Sequence, residues 1–141
     1  MILLDTDVVS ALFRLDLEPN VRAWLDNQAA IDQLFTSTIT VYEIQRGIEN
    51  MARGRRRQRL EEQMATLLNH VFKGRLIEFD TDAALATARY QAAREARGRP
   101  IDMADAMIAG LSLSKGAALA TRNIRHFTGP ELTLINPWAA A

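Results

Sequence analysis

Short apolar runs alternate along this chain with longer stretches whose apolar residues recur at helical spacing. That alternation predicts a parallel sheet covered by helices on both faces. Residues 2–5 read as the first strand, followed by a helix from Val8 to Leu15 with Asp7 as its N-cap. Pro19 opens a second helix through about Gln28, and residues 33–37 form a second strand. From Val41, the positions Val41, Ile44, Ile48 and Met51 mark one face of a helix that ends in an arginine-rich turn. A further helix is expected from Gln58 to Phe72, stopped by Gly74, and Leu76 to Phe79 make the third strand. Asp82 is placed as the cap of an alanine-rich helix that Gly98 terminates. The loop Gly98-Arg99-Pro100 leads into a helix around Asp105, then strands at Ala117–Thr121 and Leu132–Ile135, with Ala139–Ala141 frayed.

One of these helices breaks its own pattern. From Met103 to Leu113 the sequence reads MADAMIAGLSL, and Asp105 is its only charge. A helix apolar on nearly every side is a buried helix, and an ionised carboxylate there demands compensation. Two other acids stand at comparable junctions: Asp5 closes the apolar run Met-Ile-Leu-Leu, and Glu43 follows Ser-Thr-Ile-Thr. In parallel α/β sheets, ligands bind beyond the carboxyl ends of the strands, where Asp5, the Ser37–Glu43 segment and Thr121–Asn123 all fall. Gathered there, the acids would suit a hard divalent cation, which can activate water and neutralise charge on a phosphodiester. Plain structural readings compete. Thr40 and Glu43 have the spacing of a capping box, Asp102 can simply cap the Asp105 helix, and Asp5 can be a strand-end turn residue.

Composition narrows the chemistry. With 141 residues, 48% of them hydrophobic, the chain fits one globular domain spanning 1–141, burying roughly two-thirds of its unfolded surface. The formal net charge is zero, so any polyanion must be met by a local cluster. Arg53, Arg55, Arg56, Arg57 and Arg59 form one; read functionally, they contact RNA phosphates, and read plainly, they are a solvated helix junction. No aromatic residue interleaves them, so backbone positioning rather than base reading is expected. There is no cysteine and only two histidines, His70 and His126, so metal ligands would be mostly oxygens, favouring magnesium or manganese over zinc. His126 is read as structural, and Trp24 and Trp138 as core or interface anchors. Neither a secretory signal nor a membrane-length apolar run is recognisable, so a soluble cytoplasmic protein is expected.

The stretches MILLDTDVVSAL, TVYEIQRGI, IDMADAMIAG, ALATRNIRHF and the terminal INPW together resemble the PIN-domain family. More narrowly they are similar to its VapC-type toxins, in particular the FitB-like branch ending in Asn-Pro-Trp. The resemblance covers almost the whole chain. It implies a three-layer α/β/α sandwich with a central, mainly parallel five-stranded sheet. It also implies an Mg2+- or Mn2+-dependent endoribonuclease, the toxin of a toxin–antitoxin pair, leaving a 5′-phosphate and a 3′-hydroxyl. The implied partners are a VapB- or FitA-like antitoxin, an RNA substrate and a second copy of the chain, with no membrane.

Carried over by position, the family's metal-binding acids fall on Asp5, Glu43 and Asp105. A fourth acid often follows the Thr-Arg pair of the ALATRN run, and here Asn123 occupies that place. Its amide oxygen can ligate or orient water but adds no negative charge. Asn123 therefore joins the candidate catalytic residues while a second metal site loses support. Thr6 and Thr121 match hydroxyl residues that line the family's pocket. Two other functions stay open. One is a catalytically weak PIN scaffold acting by partner binding, motivated by Asn123. The other is a haloacid-dehalogenase-like phosphotransferase using Asp5 and Asp7, which would need a phosphate-binding lysine from Lys73 or Lys115.

Overall fold

The computed structural model describes residues 1–28 and 33–139. Five parallel strands, β1 (Ile2–Leu4), β2 (Leu34–Ser37), β3 (Leu76–Ile77), β4 (Ala118–Ala120) and β5 (Leu134–Ile135), form one sheet in the order β3-β2-β1-β4-β5. Six α-helices accompany them: α1 (Thr6–Leu12), α2 (Pro19–Asp26), α3 (Thr38–Glu49), α4 (Arg55–Thr66), α5 (Thr81–Ala96) and α6 (Met103–Lys115). The expected α/β sheet with five parallel strands is what the chain forms.

Alternation along the strands creates the layers. Leu3, Leu119 and Leu134 point into a core shared with Ala83, Tyr90, Ile108 and Leu111 of α5 and α6. Their neighbours Leu4, Ala120 and Ile135 point to the opposite face, where Val8, Val9, Leu67 and Phe72 pack, with Trp24 and Trp138 at the margin. Strands buried on both faces have no polar side to show, which is why they read as continuous apolar runs. α5 and α6 cross closely because α6 carries Gly110: a Cβ there would lie 2.6 Å from the Thr87 Cα. Gly116, at φ 63°, ends α6 in the left-handed conformation that a β-carbon disfavours.

Several boundaries differ from the sequence expectation, and at the helix starts the reason is local hydrogen bonding. The first helix begins at Thr6 rather than Val8, with Asp5 and not Asp7 as its cap, because Asp5 keeps extended backbone and its carboxylate accepts the Thr6 amide. Asp80 rather than Asp82 caps α5, accepting the Ala83 amide at 2.9 Å. The Thr40–Glu43 capping box does not form: Ser37 caps α3 through the Thr40 amide, so this helix starts at Thr38, before Val41, and Met51 lies beyond its end. The Gln58–Phe72 helix starts earlier, at Arg55, and widens into a π-turn over Leu67–Val71. Strands three to five are shorter than drawn. Residues 140 and 141, where fraying was expected, lie outside the described residues, as do residues 29–32 ahead of β2. Among the described residues no helix is long and apolar enough to cross a membrane.

Candidate active site

The strand order locates a crevice. From β1 the chain builds outward through β2 to β3, then returns to add β4 and β5 on the other side of β1. The carboxyl ends of β1 and β4 are therefore the switch point at which loops part and ligands enter. Asp5 leaves β1 there, its amide still bonded to the Ala120 carbonyl at 2.9 Å. It is only 4% exposed. One carboxylate oxygen accepts the Thr6 amide and the other the Thr121 hydroxyl, each at 2.7 Å. No basic side chain pairs with it among the described residues. Burial, with added repulsion from Asp7 and Glu43, pushes the Asp5 carboxyl up to about 6.

Glu43 arrives from the second turn of α3. Its Oε1 accepts the Thr6 hydroxyl at 2.6 Å. With that proton committed, the 3.1 Å contact between Thr6 and Thr40 must be donated by Thr40, so a short relay of hydroxyls steadies Glu43. Asp105 stands in the first turn of α6, its amide capped by Asp102 at 3.0 Å. It is half-buried rather than enclosed, because α6 buries only its later turns, Ala106 and Ile108–Ser112, while Met103 remains exposed. One Asp105 oxygen lies 3.3 Å from His126 Nδ1. Burial first, then Asp102 and Asp5, pushes Asp105 up to about 6, with His126 opposing. Asp5 thus feels the charge of Glu43 and is itself felt by Asp105.

As the side chains stand, no group of three or more His, Asp or Glu among the described residues is arranged to hold a metal ion. The carboxylates of Glu43 and Asp105 are turned onto Thr6 and His126 instead. Two cavities open beside them. One, about 680 Å³, includes Thr6, Glu43, Arg56 and Arg59; the other, about 390 Å³, includes Asp105 and His126.

Sequence reasoning missed two features. Asp7, taken only as a cap or a phosphotransferase acid, lies close enough to repel Asp5 and accepts the Asn123 amide at 2.7 Å. The Asp5-Thr6-Asp7 triplet was the available signal. Asn123 is therefore turned toward Asp7 and exposed, with its backbone amide donating to Thr121. The arginine cluster divides. Arg56 and Arg59 line the Glu43 cavity, whereas Arg57 pairs with Glu49 at 3.0 Å and Glu61 at 2.9 Å. Lys115 pairs with Asp80 at the far end of α6 from Asp105, which leaves the phosphotransferase reading without that lysine.

The PIN domain model matches residues 2–128. The chain belongs to the PIN-domain family. It is 39% identical over 140 residues to the plasmid stability protein StbB of Pseudomonas syringae pv. tomato, covering 99% of this chain and all of that protein. It is 36% identical over 141 residues to the VapC ribonuclease Y4jK of Sinorhizobium fredii, covering both chains completely. Its fold matches a structure of FitAB bound to an IR36 DNA fragment with a TM-score of 0.90 at 31% identity, covering all of this chain and 98% of that one. PIN membership leaves the phosphotransferase alternative without support.

Proposed function

We propose that this PIN-domain chain is the ribonuclease toxin of a toxin–antitoxin pair, hydrolysing RNA phosphodiester bonds with Mg2+ or Mn2+. One observation carries the reading: Asp5 is a buried carboxylate with no ion-pair partner among the described residues, close enough to Glu43 and Asp105 for their charges to act on one another. Acids held together without a counter-charge are costly, and a hard dication is the group whose binding relieves that cost. The donors are all carboxylates, which fits Mg2+ or Mn2+ rather than zinc. Asp5, Glu43 and Asp105 would hold it. When bound, the ion supplies positive charge for activating water and for offsetting the charge that builds on the phosphodiester.

The chain's own residues prepare that site. The Thr6 amide and Thr121 hydroxyl fix the plane of the Asp5 carboxylate, so ordering it costs nothing at the moment of binding. Thr6 steadies Glu43 through its hydroxyl. Asp7 orients the Asn123 amide, leaving the Asn123 side-chain oxygen available to a water. Arg56 and Arg59 stand beside the Glu43 cavity, positioned to meet phosphate oxygens.

Similarity to the VapC ribonuclease supports the reaction, and similarity to the FitAB assembly supports an antitoxin partner. A homodimer and a cytoplasmic site of action complete the reading. The test is cleavage of RNA by the purified chain with Mg2+, Mn2+ or EDTA, alongside Asp105→Asn. Metal-dependent cleavage that leaves 5′-phosphates and disappears in the variant is expected. Full activity of a cleanly prepared Asp105→Asn would end the assignment, as would failure of the wild type to arrest growth when expressed without an antitoxin.

A further inference from the structure

The cavity beside Asp105 contains a charge that the metal site does not explain. Arg94, near the end of α5, is only 4% exposed. Its Nε donates to the Arg99 carbonyl at 2.9 Å, and its Nη1 donates to the Tyr90 hydroxyl at 3.0 Å and the His126 carbonyl at 2.7 Å. All three acceptors are neutral. No carboxylate forms an ion pair with Arg94 among the described residues; Glu131 stands only near enough to feel its charge. A buried guanidinium is ordinarily paired, because desolvation of the ion is otherwise uncompensated.

Arg94 does not stand alone. The same cavity, about 390 Å³, is lined by Arg99, Arg125 and His126, with Asp102 and Asp105 on its α6 side. Arg99 and Arg125 are exposed and make no ion pair among the described residues; the Arg99 guanidinium donates to the Thr128 hydroxyl at 3.3 Å. Three arginines therefore line a recess that opens beside a proposed metal-binding acid. Guanidinium forks suit phosphate oxygens, and they outnumber the two carboxylates in the lining.

We infer that this recess is a phosphate subsite, in which Arg94, Arg99 and Arg125 hold the phosphodiester next to the one being cleaved in a single RNA strand. Arg94 supplies fixed positive charge at the back, and Arg99 and Arg125 close on the phosphate from the rim. The subsite rests on the nuclease reading and deepens it: the strand is gripped by backbone charge on the Asp105 side of the crevice, independent of base identity. It is separate from the Arg53–Arg59 cluster, two members of which line the cavity on the Glu43 side.

The test is the double variant Arg99→Ala/Arg125→Ala, with Arg99→Lys/Arg125→Lys as the charge-preserving control. Both side chains are exposed, and truncation leaves the Arg99 carbonyl that accepts from Arg94 in place. Affinity for a fluorescein-labelled, mixed-sequence single-stranded RNA is read by anisotropy at several salt concentrations in EDTA. Steady-state cleavage of the same RNA is then read with Mg2+. The alanine variant should bind at least about tenfold more weakly, and its salt slope should fall by about 0.7 for each lost phosphate contact. KM should rise with kcat nearly unchanged, and the lysine variant should recover most of both. An alanine variant that cleaves and binds RNA as the wild type does, with an unaltered salt slope, overturns the subsite while leaving the nuclease reading intact. Weakened binding of an acidic antitoxin peptide with unchanged RNA affinity also overturns it and gives the recess to a protein partner. Salt-dependent RNA binding that requires Arg99 and Arg125, in a wild type that never cleaves, supports the recess and removes the nuclease reading instead.

Discussion

Replacing Asp5 by asparagine should stabilise the metal-free protein at alkaline pH, and the size of the effect follows from the site. Burial raises the Asp5 carboxyl from 3.8 to about 6. Because the folded-state value is the higher one, the favourable contribution of Asp5 is fully present below pH 3.8 and is lost as pH rises through about 6. A shift of about two units at ~1.36 kcal/mol each makes that loss roughly 3 kcal/mol at pH 8. Asparagine removes the charge but keeps only one acceptor oxygen for the two donors, the Thr6 amide and the Thr121 hydroxyl. That mismatch costs about 1 kcal/mol, leaving a net gain of about 2 kcal/mol at pH 8 and a net loss of about 1 kcal/mol at pH 4, where the charge penalty is nearly absent. Since Asp5 also repels Asp105, neutralising it works in the same direction there. The assay is urea unfolding of wild type and Asp5→Asn in EDTA across pH 4 to 8, repeated with excess Mg2+. Added metal should reverse the order, stabilising the wild type and not the variant. A variant destabilised equally at every pH in EDTA, or both proteins gaining equally from Mg2+, would refute the argument that Asp5 is a strained, metal-seeking carboxylate.

Other perturbations follow from the same geometry. Asn123→Asp converts the amide donor to Asp7 into a second carboxylate; calorimetry should show tighter Mg2+ binding, while the metal-free variant melts lower because two acids then face each other. Thr6→Val removes the hydroxyl that steadies Glu43 and should lower metal-dependent cleavage with little loss of fold, measured by kcat and circular dichroism together. Gly110→Ala drives a methyl group into the Thr87 backbone and should cost about 1–3 kcal/mol in urea unfolding. Ser37→Ala removes the cap of α3 and should cost about 1 kcal/mol, whereas Glu43→Gln, which takes no part in that cap, should leave stability nearly unchanged while abolishing cleavage.

Much of the fold is legible from local pattern. The five apolar runs and the helical spacings between them predict the parallel sheet, because alternation and helical periodicity are set by residues within a few positions of one another. Where the expectation slipped, as at Asp7 for Asp5 or Asp82 for Asp80, several carboxylates competed for one helix start. The backbone angle that selects the cap is invisible in composition. Asp5, Glu43 and Asp105 stood out as acids in apolar company, which is a property of neighbours in sequence. Their grouping around the switch point is not. Asp5 meets Thr121 from 116 residues away because β4 adds to β1 on the side opposite β2, a choice made by packing two helical layers against the strands. The Asn123–Asp7 pair and the contact of the buried Arg94 with the His126 carbonyl arise in the same way, from elements distant in sequence and adjacent only once the sheet has closed its order. The chain's local chemistry thus marked out the candidate acids, and long-range strand order decided which side chains stand beside each of them.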